Sequence, residues 1–117
     1  MTTEKFDAVF TDTYERCREL LIAKAKEYAA DGDRLHNFRI AARLMGVTPL
    51  GALAGMMCKH TVSVYDLAGA YEKGQVAALA LWDEKIIDSI NYLILLRALI
   101  YEEYGLTPCG KAAAEEV

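Results

Sequence analysis

The sequence predicts an all-α protein, a bundle of about four helices in a single domain. Only two prolines, Pro49 and Pro108, interrupt the chain, and no segment alternates polar and apolar residues as a half-buried strand does. Apolar residues instead recur at helical spacing in four segments. We therefore expect one helical domain over residues 1–105 and a short tail, rich in Ala and Glu, over residues 106–117.

The first two helices are bounded by turn residues. Helix one is predicted over Glu4–Ala30, because Asp31–Asp33 contains the glycine and aspartates typical of a turn. Helix two is predicted over Arg34–Met45, and Gly46 ends it. Each helix has an apolar face with which it can pack on the rest of the domain.

The last two helices are the more apolar segments. Helix three is predicted over Pro49–Lys73, because Thr48 suits the N-cap and a proline suits the first helical position. Helix four begins at Val76 or Asp83 and runs to Tyr104. It is apolar over most of its circumference, so we expect it to be covered on several sides.

Charge and hydrophobicity limit the classes of partner. The net charge of −4 argues against nucleic-acid binding through phosphate contacts. Hydrophobic residues make up 54% of the chain, a large share for a domain of 117 residues. We therefore expect a homodimer or a higher homo-oligomer, in which Gly51 and Gly55 allow helices to pack closely.

Cysteine usage and targeting signals predict the cytoplasm. Cys17, Cys58 and Cys109 are odd in number and lack C-x-x-C spacing, so we expect free thiols in a reducing compartment. The first residues include neither a basic region nor a long apolar region, and we expect no signal peptide. No stretch reaches the roughly twenty apolar residues of a membrane span, so no membrane partner is expected.

Polar side chains stand at helical positions where the pattern favours apolar ones. They are Lys24 in helix one, Asn37 in helix two, Lys59, Ser63 and Asp66 in helix three, and Glu84, Asp88 and Asn91 in helix four. A buried charge destabilises a fold unless it is paired or bound to a ligand. We predict that the polar groups of helix four face those of helices two and three across one internal pocket.

The chemistry of these groups indicates a ligand. Carboxylates and amides without a His–Cys set suit Mg²⁺ or Mn²⁺ better than zinc, which predicts a metal on Glu84 and Asp88. A magnesium ion beside a lysine suits a phosphate-bearing molecule. Three structural interpretations stay open. The two acids can pair with Lys85 or Lys59, and His60 can be a hydrogen-bonded core residue. Lys24 can extend from the apolar stripe to solvent instead of pointing inward to a phosphate.

Three stretches resemble a known group of phage-type helical proteins. Residues Lys26–Phe38, Met56–His60 and Asp88–Tyr92 are similar to the nucleotide modification associated family. That family is similar to the all-α MazG-like nucleoside triphosphate pyrophosphohydrolases. The likeness spans roughly residues 24–101. The segment Glu84–Tyr92 resembles the second acidic motif of MazG-like enzymes, in which a glutamate and an aspartate bind Mg²⁺.

With this resemblance, the residues predict a Mg²⁺-dependent nucleotide-binding protein that hydrolyses (deoxy)nucleoside triphosphates to monophosphate and pyrophosphate. The expected site has Glu84 and Asp88 as catalytic and metal-binding residues, and Lys24, Asn37, Lys59 and Asn91 as substrate-binding residues. MazG-like enzymes carry paired glutamates on the preceding helix, where this chain has Lys59, Ser63 and Asp66. The alternative is therefore a non-catalytic phage or prophage protein, acting as a nucleotide sensor or a protein-interaction module.

Overall fold

A computed structural model describes residues 1–30 and 32–106 and confirms the all-helical class. The helices are α1 (Thr3–Tyr28), α2 (His36–Met45), α3 (Pro49–Glu72) and α4 (Leu79–Glu103). The described ranges contain no β-strand. Helix α3 packs most extensively on α4, α2 packs on α3, and α1 packs on α4. Apart from Leu106, the predicted tail lies outside the described residues.

The predicted helix boundaries agree with the structure to within a few residues. Thr48 caps α3, since its hydroxyl oxygen accepts a hydrogen bond from the Gly51 amide at 3.1 Å. Gly46 ends α2 in the left-handed conformation, with φ at 68°. Gly74 has φ at 82° just after α3. The helix ends at Thr48 and Gly46 were predictable because each depends on backbone chemistry within a few residues.

The turn between α1 and α2 is fixed by Asp33. One oxygen of its carboxylate accepts the Leu35 amide at 2.9 Å, and the other accepts Arg39 Nε at 2.9 Å. Arg39 also contacts Glu102 on α4, so the turn is tied to the far end of the bundle. Burial alone would raise the pKa of Asp33, but Arg39 and the Leu35 amide outweigh it and hold that pKa below its usual value.

The core lies where α2, α3 and α4 meet. Leu35, Phe38, Leu53 and Leu99 form one buried cluster. The half-buried side chains around it are Met56, Tyr92, Leu95 and Leu96. Ala42 of α2 and Ala52 of α3 are buried as well.

Many large apolar side chains remain at the surface. In α1 the predicted apolar stripe is buried only at Cys17, while Phe6, Val9 and Phe10 are more than half exposed. Leu44 of α2 is 84% exposed. No single helix of the described ranges is long and apolar enough to cross a membrane. Helices α2 and α3 taken together have the length and composition of a membrane span, but the chain bends by 97° between them.

Candidate functional site

A cavity of about 480 Å³ opens between α1, α3, α4 and the start of α2. Its size falls within the range of small-molecule sites. Its walls combine apolar, aromatic and charged side chains. They are Leu20, Leu21, Lys24, Tyr28, Arg34, Asn37, Phe38, Met56, Lys59, His60, Asp88, Asn91, Tyr92 and Leu95.

Most of the predicted site residues come together at this cavity. Lys24, Asn37, Lys59, Asp88 and Asn91 all line it, although they come from four different helices. Glu84 does not line it. Of the polar stripe on α3, Lys59 reaches the cavity, whereas Ser63 donates a hydrogen bond to the Lys59 carbonyl oxygen at 2.9 Å.

Asn91 is the most unusual group in the cavity wall. The residue is only 5% exposed, yet neither its side-chain nitrogen nor its side-chain oxygen has a hydrogen-bond partner among the described residues. The side-chain oxygen of Asn37 is also buried without a partner. Leaving a buried polar group unpaired costs roughly 1–3 kcal/mol. These atoms have almost no accessible surface, so a molecule in the cavity supplies the missing donors and acceptors only when the side chains turn toward it.

The cavity wall carries more positive than negative charge. Lys24, Arg34 and Lys59 contribute three cations, against one carboxylate, that of Asp88. Lys24 Nζ also lies 3.6 Å from a Glu27 carboxylate oxygen, an exposed contact of little strength. The wall therefore favours an anion. Arg34 was not predicted as a site residue: it was expected as the first residue of helix two, whereas α2 begins at His36 and Arg34 lies in the turn before it.

His60 and Asp88 face each other within the wall. His60 Nδ1 lies 3.7 Å from Asp88 Oδ2, and its ring stacks on Tyr92 with centroids 4.7 Å apart. Burial lowers the pKa of His60, while the charge of Asp88 acts in the opposite direction. Burial also raises the pKa of Tyr92. Asp88 is thus next to a histidine, and no ion pair with Lys59 forms in the described residues.

Glu84 belongs to a neighbouring depression on the surface. This shallow depression lies between α1 and α4, and its acidic lining residues are Glu19, Asp83, Glu84 and Asp88. The Glu84 side chain is 61% exposed and lies 3.9 Å from Lys85 Nζ. Within residues 1–30 and 32–106, no group of three or more His, Cys, Asp or Glu side chains is arranged to hold a metal ion. Side chains alone therefore do not form a metal cage there.

Comparison with known proteins finds no matching family model, curated relative or solved structure. The likeness to MazG-like and phage-type proteins therefore stays a prediction from the sequence. The case for a ligand rests on this chain's own cavity, above all on the unpaired amide of Asn91 beside three cations.

Proposed function

We propose that the cavity binds a nucleotide. The observation that carries this proposal is Asn91, a buried amide with no partner in the wall of a cationic cavity. Native proteins seldom leave both polar atoms of a buried side chain unpaired. Ligand sites are a common reason for such exceptions, since the ligand completes the hydrogen bonds. We also propose that the protein acts in the cytoplasm, which agrees with the free thiols of Cys17 and Cys58.

The phosphate part of the ligand binds the cations. Lys24 on α1, Arg34 before α2 and Lys59 on α3 approach the cavity from three sides. A planar guanidinium donates two parallel hydrogen bonds to phosphate oxygens, and ammonium groups add charge. A neutral metabolite would leave these charges uncompensated, so a phosphate ester fits this wall better.

The base part binds the aromatic and amide groups. Tyr92 and Tyr28 line the cavity with aromatic rings that can contact a purine or pyrimidine. One face of Tyr92 is already covered by the His60 ring, and Lys24 Nζ lies 5.4 Å from the centroid of the Tyr28 ring. The unpaired atoms of Asn91 and the unpaired oxygen of Asn37 are buried in the wall, and a turn of these side chains brings donors and acceptors to the polar edge of the base. A nucleotide combines an anionic end with a flat ring that has a polar edge. The cavity wall has cations for the first part and aromatic and amide groups for the second, which supports a nucleotide as the ligand.

Hydrolysis of a (deoxy)nucleoside triphosphate to monophosphate and pyrophosphate is the finer proposal. Magnesium is often held by one or two carboxylates together with the phosphates of a substrate, and Asp88 and Glu84 offer two such carboxylates. They border the same depression beside the cavity. The lack of a third acidic ligand among the described residues favours the alternative, a sensor that binds the nucleotide without cleaving it.

Thermal unfolding of the whole chain with nucleotides tests the binding proposal. Nucleoside mono-, di- and triphosphates should raise the melting temperature, and a ligand at 100 times its Kd stabilises by about 2.7 kcal/mol. Inorganic phosphate and unphosphorylated nucleosides should each stabilise less. Lys24→Gln should weaken binding roughly tenfold, as expected for a lost charged hydrogen bond. Lys26→Gln, on the same helix but outside the cavity lining, is the matched control.

Pyrophosphate release with and without Mg²⁺ separates the enzyme from the sensor. The enzyme should release pyrophosphate only with the metal, and Asp88→Asn should abolish that release while the exposed Asp66→Asn leaves it intact. Binding without release would establish the sensor. If no nucleotide at millimolar concentration changes the melting temperature, the proposal fails.

A further inference from the structure

The outer side of α4 carries an apolar stripe of exposed and half-buried side chains. We name it the α4 outer stripe; it consists of Leu79, Ile86, Ile90, Leu93, Ile94 and Ile100. It lies opposite the side of α4 whose Leu95 and Leu99 pack in the core. Leu79 is 74% exposed and Leu93 is 56% exposed. These side chains do not line the proposed nucleotide cavity, so ligand binding does not explain why they are apolar.

The spacing of the stripe suits contact with another helix. Leu79, Ile86, Leu93 and Ile100 recur every seven residues, which keeps them along one line of an α-helix. At 1.5 Å per residue the line runs for roughly 30 Å. A continuous contact of this length is typical of two long helices packed side by side.

Two opposite charges border the stripe at equal distances from its middle. Asp83 precedes Ile90 by two helical turns, and Arg97 follows it by two turns. Arg97 Nη2 donates to the Tyr101 hydroxyl at 2.6 Å, and no carboxylate pairs with Arg97 in the described part of the chain. The Asp83 side chain contacts Arg16 at 3.3 Å but stays 39% exposed. Both charges can therefore accept a partner from outside the chain.

We propose that two copies of this chain form a dimer through the α4 outer stripe, with the two α4 helices antiparallel and a two-fold axis near Ile90. This arrangement places Asp83 opposite Arg97 of the partner subunit, twice per dimer. A parallel pairing would place like charges opposite each other, which is unfavourable across an interface. Antiparallel helices also align their dipoles favourably. The proposal does not depend on nucleotide binding.

A second copy fits this face better than an unrelated protein does. The stripe is self-complementary, because an apolar line with one acid and one base at equal distances from its centre matches its own reversed copy. Gly51 and Gly55, predicted to lie at an interface, are exposed on α3. These two glycines carry no charge that could select a partner. The α4 outer stripe does, through Asp83 and Arg97.

The mass of the protein in solution tests the dimer, measured by sedimentation equilibrium across a range of concentrations. The wild type should have twice the mass of one chain. Leu93→Glu should shift it to the monomer, because it buries a charge in the middle of the contact. Leu44→Glu adds the same charge on α2, at a residue that is 84% exposed and outside the stripe, and should leave the dimer intact.

Charge reversal tests the antiparallel geometry. Asp83→Arg and Arg97→Asp should each raise the dimer dissociation constant roughly tenfold or more, because each creates like-charge contacts. The double variant should return it close to the wild-type value. Recovery of the dimer in the double variant would identify the contact between subunits as the cause. Asp83→Arg also removes the contact with Arg16 within the chain, and the double variant does not restore that contact.

Three results would overturn the inference: a monomeric wild type, a dimer that survives Leu93→Glu, or no rescue in the double variant. Circular dichroism of each variant shows whether the helices are intact. A variant that has lost its helices is replaced by the milder Leu93→Ser, which should also weaken the dimer.

Discussion

Helices α3 and α1 have nearly the same length but take part in the fold very differently. Helix α3 buries Ala52 and Leu53 completely against its neighbours. Helix α1 buries only Cys17 over its 26 residues, and its N-terminal aromatic side chains are exposed. The core of the subunit is therefore built by α2, α3 and α4, and α1 is attached to one side of α4.

The cavity explains why a loosely attached helix is useful. Leu20, Leu21, Lys24 and Tyr28 of α1 form one wall of the cavity, and the opposite walls belong to the core helices. Helix α1 thus contributes to the cavity but little to the core, whereas α2, α3 and α4 contribute to both. Binding elements commonly belong to the least stable parts of a protein, since they must open and close. The predictions below test this division.

Two leucine truncations should show the largest difference. Leu99→Ala removes a side chain with no exposure from the core cluster and should lower the free energy of unfolding by about 3 kcal/mol. Leu21→Ala makes the same chemical change at a half-buried position in α1 and should cost about 1 kcal/mol. Urea unfolding followed by circular dichroism measures both. Equal losses would mean that α1 belongs to the core after all.

Asn91 lies where the core helix α4 meets the cavity. Asn91→Leu keeps the approximate shape but removes two unpaired polar atoms, so the unliganded protein should become more stable by about 1 kcal/mol. Nucleotide binding should fall at least roughly tenfold, because the ligand loses its amide partners. A calorimetric titration and a urea melt measure the two effects.

The control for this change is Gln75→Leu, which places the same side chain at an exposed position outside the cavity. It should change stability by less than about 0.5 kcal/mol and leave nucleotide binding unchanged. A large loss of stability in Asn91→Leu would show that the amide has a structural role in the core. The interpretation of Asn91 as a ligand group would then fail.

The sequence could predict which side of its helix each site residue faces. It could not predict where along the helix axis the residue lies relative to the cavity. Glu84 has nearly the same angular position as Asp88 and Asn91, which is why it was grouped with them. It lies one turn earlier, beyond the end of the cavity, and borders the acidic depression instead. Tertiary packing determines where along a helix a cavity begins, and periodicity carries no information about that.

Two other residues of the cavity wall were not assigned to the site. Arg34 was expected as the first residue of helix two but lies in the turn before α2, so its place in the cavity depends on the path of that turn. His60 was weighed as a core residue, and its side chain does line the cavity beside Asp88. By contrast, the caps at Thr48 and Gly46 were predictable, because hydrogen bonds and backbone angles within a few residues determine them.

The smallest effect is expected at the turn that joins α1 to the core. In Asp33→Asn the side-chain oxygen still accepts the Leu35 amide, but the charge that pairs with Arg39 is gone. The Asp33 side chain is 36% exposed, and solvent screens a pair of this kind. The loss at neutral pH should therefore stay below about 1 kcal/mol. Asp66→Asn, at an exposed site on α3, should change stability less.

The pH dependence of this small effect identifies its cause. The pKa of Asp33 is lower in the folded protein than its ordinary value of 3.8, so the ionised carboxylate stabilises the fold above that value. The stabilisation is lost as the pH falls below 3.8, because the folded carboxyl then becomes protonated too. Urea melts at neutral pH and at successively lower pH should show the wild type and Asp33→Asn converging. If the difference instead persists undiminished in acid, the ion pair with Arg39 is not its source, and the turn holds α1 to the core through its backbone hydrogen bonds alone.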